Sequence, residues 1–537
     1  MSPQIPALQA ERRGLRLWNV GIVLLLAFAS ALLVAGFVFY TGWDLLGARE
    51  LKKQQKIDSK TLFDLVKLSF GVVAGSGALV ALVVAYRRQR VDEDAALRDT
   101  TRLHNERFTN AVSQLGDESP TVRLGGVHAL AGLADDAPTR QLRQTCIDVL
   151  CAFLRLPYTA EADLPTGDAG ARHSYLALRE ARHTVLRLIR DHLRLPQEHP
   201  HSWQKYDFDF SNAVFDGGDL SKATFSGGAV TFTGATFSSG VLTFDEATFS
   251  GGQVFFIEAT FSGGEINFRS AEFSGGEVYF TGTTFSGGEV YFTGTTFSGG
   301  EVYFTGTTIS GGEIGFPSAT VSGGVIDFSS ATVSGGVIDF SSATVSGGQV
   351  PFSRTKFLGG TVGFSSSTIS GGTVDFISAV LSGSTIDFTE TVLSAGTLDF
   401  NRAKFSGSTV TFTRIAFSAG TVDFTEATFS AGTVNYTDAT FSGSKIDYTQ
   451  ATFSGSTVDY TDAIFSNGTV DFILTVFSGG TVAFTRAALF TSTMKFTGAM
   501  FHGGTVTFDE ATGSAPVGLV ASAGSPWPAG VTLAAGW

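Results

Sequence analysis

The sequence predicts a mainly β fold, a solenoid built from a short repeat, and three observations carry that prediction. The first is a strict 12-residue period. FSGGEVYFTGTT runs from Phe273 to Thr284, recurs from Phe285, and recurs again from Phe297 to Thr308, while VSGGVIDFSSAT occurs at Val321 and at Val333. One column of the repeat holds Phe225, Phe237, Phe249, Phe261, Phe273, Phe285 and Phe297, continues through Ile309, Val321, Val333 and Val345, and ends at Phe501. A second column runs from Phe232, Phe244 and Phe256 to Phe508, with Tyr436, Tyr448 and Tyr460 as its departures. This makes 24 repeats without an insertion or deletion, and so long an unbroken register means that each repeat stacks on the last. The second observation is alternation. In Thr385-Ile386-Asp387-Phe388-Thr389 the apolar residues fall on one side of a strand and the polar ones on the other. The third is composition: the 537 residues include 49 Phe and 65 Gly, and 37 of the Phe stand in the two columns.

Composition also excludes classes. A chain that is 43% hydrophobic and 16% charged has the apolar residues to form a core, unlike a disordered one. Its glycines lack the Gly-X-Y period of collagen. Two cysteines, Cys146 and Cys151, rule out a disulfide framework. The formal net charge of −13 argues against direct nucleic-acid binding. Neither a Walker A loop, a Rossmann fingerprint, GxSxG nor HExxH occurs, so no catalytic, cofactor-binding or metal-ligating residue is expected and the chain is read as a non-enzyme.

Taken in order, residues 1–16 read as a cytoplasmic segment carrying Arg12, Arg13 and Arg16. Residues 17–42 read as a first transmembrane helix, because Val20 to Tyr40 has no charge and is long enough to cross a hydrocarbon core of about 30 Å. A loop over 43–67 carries several lysines, and a second span covers 68–86, ending at Arg87, Arg88 and Arg90. Together these predict a two-helix membrane hairpin, a lipid bilayer as partner, and a multi-pass protein of the cell membrane. The lack of cysteine pairs places the helical domain and solenoid on the cytoplasmic side. Gly71-Val72-Val73-Ala74-Gly75 is a GxxxG whose small residues let helices approach closely, so a homodimer through Gly71 and Gly75 is one expected contact.

Residues 87–204 read as a small α-helical juxtamembrane domain and linker. Ser119-Pro120 starts a helix with a capping residue and a proline at the first helical position. Its apolar stripe is Leu124, Val127, Leu130, Ala131 and Ala134; a second stripe is Leu142, Cys146, Val149, Leu150 and Phe153. A last helix is expected over about Tyr175 to Leu195. His192, His199 and His201 are close in sequence, but Pro196 and Pro200 break the segment, so they read as exposed loop histidines and not as a metal site.

The β-solenoid is expected over 205–513, with Gly pairs such as Gly263-Gly264 supplying corners where a positive φ is cheap, and 514–537 as a flexible tail or cap. Each interior Phe contributes about 2 kcal/mol on burial. Identical neighbouring 12-mers leave two geometries open. Either a coil holds 24 residues, with 12 turns over about 58 Å, or it holds 12 residues, with twice the turns over about 115 Å, at ~4.8 Å per rung. The bulk of Phe in both columns favours the 24-residue, four-sided coil.

Where the repeat begins, Phe210, Phe215, Leu220 and Phe225 are spaced by five, as AVFDG, GDLSK and ATFSG. This resembles the pentapeptide-repeat family, whose pattern is A-(D/N)-(L/F)-X-X. The later 12-mers then divide into two pentapeptides and a two-residue corner: TTFSG, GE, VYFTG over Thr283 to Gly294. With Tyr86 to Arg90, Asn105 to Gly116 and Arg143 to Tyr158, the chain looks like the membrane-anchored pentapeptide-repeat proteins of high-GC bacteria. The resemblance implies a right-handed quadrilateral β-helix and implies no activity.

Residues 205–537 hold 28 Asp and Glu against 11 Lys and Arg. The acids recur as Glu265, Glu277, Glu289, Glu301 and Glu313, then Asp375, Asp387, Asp399 and Asp423. The function expected is a membrane-anchored repeat scaffold whose acidic solenoid surface meets an unidentified protein partner. The alternative, which the resemblance suggests, is an acidic DNA-mimicking decoy or inhibitor of a nucleic-acid enzyme such as gyrase.

Overall fold

The computed structural model describes residues 58–161, 164–515, 530–535 and 537, with scattered positions between 25 and 44. It divides into two compact units, Met1–Asn105 and Glu106–Trp537. The described part of the first is dominated by a helix, α1 (Ser59–Leu115), of 57 residues. The stretch Leu68 to Tyr86 is helical but is not a separate span. The helix continues without interruption through Arg87, Arg88, Arg90, Asp92 and Glu93, and Ser69, Gly71, Gly75, Ser76 and Gly77 dilute its apolar run. Among the described residues, no helix is long and apolar enough to cross a membrane. This overturns the expected membrane hairpin and the multi-pass placement in the cell membrane with a cytoplasmic solenoid. The first expected span, 17–42, lies largely outside the described residues.

In the second unit, three helices follow the end of α1: α2 (Pro120–Asp135), α3 (Arg140–Arg155) and α4 (Ala169–Leu193). Each starts where the local chemistry allows. Pro120 needs no partner for a missing N–H at the first helical position. The Thr139 hydroxyl accepts from Leu142 N at 3.2 Å, and the Asp168 carboxylate accepts from Ala171 N at 2.9 Å. That aspartate starts α4 six residues before the position expected from its apolar stripe. Val127, Leu130, Cys146, Leu150, Val185 and Ile189 fill the space between the helices. Gly126 allows α2 to meet the end of α1, since a Cβ there would lie 2.4 Å from Leu115 N.

The solenoid starts with β1 (Phe208–Asp209), β2 (Val214–Phe215) and β3 (Gly218–Asp219), followed by β4 (Thr224–Phe225) and β5 (Ala229–Thr231). Next come β6 (Thr236–Phe237), β7 (Val241–Thr243), β8 (Thr248–Phe249) and β9 (Gln253–Phe255). All pairings are parallel. β4 pairs with β8 through Phe225↔Phe249, and β5 with β9 through Val230↔Val254. The pairing Phe261↔Phe285 keeps the same step, so one coil holds 24 residues and four short strands. Two strands of each coil belong to a 24-stranded sheet and two to a 23-stranded sheet. The first coil is shorter, pairing Phe208 with Val230 and Phe215 with Phe237. About 13 turns result, roughly 60 Å long at ~4.8 Å per rung.

The interior consists of ring stacks along the axis. Phe268 lies over Phe292 at 4.7 Å with planes 1° apart, and Phe256 over Phe280 at 4.6 Å and 3°. Where the first column narrows to Ile309, Val321 and Val333, phenyls of the second column meet across the core edge to face. Phe304 and Phe316 do so at 6.2 Å and 89°. Ala259 and its equivalents complete the inner wall. Where threonine replaces alanine, its hydroxyl returns to the backbone, as Thr283 Oγ1 does to Phe256 O at 2.7 Å, so no buried donor is wasted.

The corners meet the expectation in some coils and differ from it in others. One set of left-handed positions stands two residues after each second-column aromatic, and most of these hold side chains: Glu246 (φ 55°), Glu258 (φ 56°), Ser270 (φ 54°) and Glu390 (φ 59°). A second set falls at the glycine corners of some coils, as at Gly312 (φ 80°) and Gly336 (φ 74°). Ala259 N donates to Phe256 O at 3.1 Å, closing a turn around Glu258. Gly263 and Gly264 have no such φ. They are small because the coil beneath is close: a Cβ on Gly264 would lie 3.0 Å from the Phe237 carbonyl carbon and 3.1 Å from its Cβ.

Both ends are covered. α3 packs on β1 and α4 on β3. At the far end Val531–Thr532 pairs with Thr505–Thr507, and Trp537 lies 5.2 Å from the Phe508 ring and donates to Gly513 O at 3.0 Å.

Candidate interaction surface and the helical cap

The strand residues between the inner columns point outward, and the 24-residue step decides which of them are neighbours. Glu265, Glu289 and Glu313 are in register on one sheet, whereas Glu277 and Glu301 are in register on the other. The single glutamate series of the sequence is therefore two columns on different faces. Asp375, Asp399, Asp423, Asp447 and Asp471 form a third column, from which Asp387 is separate.

Like charges one rung apart repel. Partial burial, together with the Glu289 and Asp245 charges, raises the carboxyl pKa of Glu265 above the usual range. Burial and the Asp339 and Glu289 charges do the same at Glu313, against a hydrogen bond from Tyr291 that lowers it. At Asp399, burial and the charges of Asp423 and Asp375 outweigh the bond from Asn401 N. Local donors relieve part of the strain. Tyr279 Oη donates to Glu277 at 2.6 Å and Gln253 Nε2 at 2.7 Å, and Lys445 and Lys495 pair with Asp447 and Asp471 at 2.7 and 3.2 Å.

At the helical end, polar groups converge inward. Asp216 is 4% exposed and accepts from Tyr158 Oη at 2.5 Å, Tyr175 Oη at 2.7 Å and Arg179 Nε at 3.1 Å, with His183 Nε2 at 3.2 Å. Burial alone would raise its pKa; the bonds from His183, Tyr158 and Tyr175 win and hold it well below the carboxylate range. Burial and the same carboxylate push the Tyr175 hydroxyl up to about 12. Arg182, 3% exposed, donates to Leu154 O at 2.6 Å and Val214 O at 2.5 Å and lies over the Tyr158 ring. Helix α4 is thus tied to both α3 and the first coil.

A second cluster joins α2 to α4. His192 Nε2 is 3.1 Å from Asp135 Oδ2 and its Nδ1 is 2.6 Å from Leu188 O, while the ring stacks on Trp203 at 4.0 Å. Trp203 Nε1 donates to Asp135 Oδ1 at 3.2 Å. Burial lowers the pKa of His192, but the bonds to Asp135 and Leu188 raise it by more. The expectation of an exposed loop histidine is corrected here: His192 is in the last turn of a helix, its side chain 13% exposed. His199 and His201 do lie in the following turn, ring centroids 5.4 Å apart. Among the described residues, no group of three or more His, Cys, Asp or Glu is placed to hold a metal ion. Both cysteines are buried, and burial pushes the Cys146 thiol up to about 12. Gly71 and Gly75 lie one turn apart on α1, each with nothing within 4 Å of where a Cβ would stand.

Sequence reasoning missed the Asp216 and Asp135 clusters. Their members come from positions up to 68 residues apart, as Asp135 and Trp203 are. One signal was available: Arg179, His183, Arg187 and Arg190 recur at helical spacing just before Asp216 and Asp219, acids that precede the regular period.

Four short parallel strands per coil, an aromatic interior, corner residues outside it and capped ends define a β-solenoid repeat protein. Residues 210–260 match the family model described as pentapeptide repeats (9 copies), so the start of the solenoid is similar to the pentapeptide-repeat family. The match does not bear on the narrower resemblance to membrane-anchored members. No curated protein and no solved structure matches the chain.

Proposed function

We propose that the chain is a non-catalytic scaffold that presents its acidic solenoid faces to a protein partner. The observation that supports this reading best is the register of outward carboxylates: Glu265, Glu289 and Glu313 repeat at one-rung intervals on a wall whose inner side is packed with stacked rings. A surface so regular and so rigid suits an extended basic partner, because ordering it costs little on binding. The raised carboxyl pKa values at Glu265 and Glu313 mean that a cation brought beside them relieves repulsion already present.

Cross-linking in cells, comparing the full chain with Glu265→Gln/Glu289→Gln/Glu313→Gln, tests the reading. Loss of a captured protein in the triple variant, with melting unchanged, supports it. Equal capture by both chains sinks it. Capture of a nucleic-acid enzyme through the same residues would move the reading to an acidic decoy.

A further inference from the structure

Beyond the solenoid faces, we infer that the cleft between helix α4 and the first coil is an anion site for a small phosphate-bearing ligand. The cleft has a volume of about 410 Å³ and is lined by Arg179, His183, Arg187 and Arg190 together with Asp216, Gly217, Gly218, Asp219 and Val241. The four basic residues are spaced by four, four and three, which puts them on one side of the helix. Arg190 is taken up by Asp191 and Asp219, which leaves Arg179 and Arg187 as the guanidinium groups open to the cleft.

Both carboxylates are already engaged. Asp216 serves Tyr158, Tyr175, Arg179 and His183, while Asp219 accepts from Ser221 N and Oγ through one oxygen and from Arg190 through the other. The guanidinium groups are not used up. Arg179 commits its Nε to Asp216, and among the described residues no bond engages its two terminal nitrogens. Arg187 donates to Thr184 Oγ1 at 3.0 Å, and its nearest carboxylate among the described residues, Glu180, stands 3.9 Å away.

Two guanidinium groups with unused donors therefore border one cleft, two turns apart on one helix. A carboxylate has oxygens on one side and fills one fork. A phosphate group has oxygens on several sides and can be met by both. Arg179 is already oriented by its bond to a buried carboxylate.

Titration calorimetry of the full chain with inorganic pyrophosphate, and separately with citrate, tests the site. Saturable binding of pyrophosphate at one site is expected, weakened roughly tenfold or more in Arg187→Gln. Arg187→Lys, which keeps the charge but loses the fork, should lie between wild type and the glutamine variant. Arg402→Gln, on a solenoid corner, should bind as wild type does. Arg187 is half exposed and outside the apolar core, so its variants are expected to melt as wild type does. Absence of saturable pyrophosphate binding, equal binding by Arg187→Gln, or binding of citrate in preference to pyrophosphate would each overturn the assignment.

Discussion

The helical cap and the solenoid place their ionic groups in opposite ways. In the cap, Asp216 and Asp135 are drawn inward and each joins several elements: Asp216 connects α4 and Tyr158, in the segment after α3, to the first coil, and Asp135 connects α2 to α4 and Trp203. On the solenoid, most carboxylates stay at or near the surface, in register with their own kind one rung away or paired with a single basic side chain, and the buried Asp471 is paired with Lys495. The difference follows from periodicity. A strict repeat places the same side chain beside itself, so a buried charge would recur without a counter-charge. Only the aperiodic segment can bring an acid, two phenols, a guanidinium and an imidazole to one point. Stability in the solenoid is consequently distributed over many equivalent rings, whereas in the cap it is concentrated in a few residues.

The largest expected effect breaks the distributed half of that comparison. Phe292→Asp puts a carboxylate into a stack where the native ring is 0% exposed, between Phe268 and Phe316, each 4.7 Å away. Loss of the ring costs about 3–5 kcal/mol, and the unpaired charge adds to it. Denaturant unfolding should change from one transition to two as the coils on either side separate.

Asp216→Asn comes next, at about 3 kcal/mol, because it leaves Arg179 and His183 beside a neutral group. Hydrogen exchange should rise in α4 and the first coil while the coils around Phe400 remain protected.

A smaller, pH-dependent effect is expected at His192. Its folded pKa is raised, so its contribution is fully present below the unfolded value of about 6.5 and is lost as the pH rises through the folded value. Thermal melts of the wild type from acid to mildly alkaline pH should show this decline, and His192→Gln should lose it. A variant with the wild-type pH profile would remove His192 as its source.

The smallest effect belongs to the solenoid surface. Glu289→Lys should change stability by about 0.5 kcal/mol or less, in the stabilising direction, since it replaces repulsion from Glu265 and Glu313 by attraction. Titration of Glu265 should move back toward the ordinary glutamate range, and destabilisation comparable to that of Phe292→Asp would contradict the assignment of inner and outer positions.

Much of the architecture was legible because a repeat writes its packing many times. The alternation of Ile386, Asp387 and Phe388 identifies inner and outer positions, and the structure buries Ile386 and Phe388. The corners were harder. A Gly pair looks like a turn, yet Gly264 answers to the proximity of Phe237, and the left-handed residue is Glu258. Single-residue preferences cannot separate a need for positive φ from a lack of room, since glycine satisfies both. The apolar run of Leu68 to Tyr86 likewise resembled a span when its own residues were scored, but the helix containing it runs on through charged turns.

The strand periodicity, the inward aromatic columns and the absence of an ordinary globular core follow from the order of residues alone, because burial in a strand depends on alternation, which is local. The number of residues per coil does not follow, because the 12-mers are nearly interchangeable and either closure satisfies their pattern. Pairing at a step of 24 chose between them, and with it chose which glutamates repel each other. The same holds for the cap, where Tyr158, Tyr175, Arg179, His183 and Asp216 acquire a common purpose once folding removes their separation in sequence.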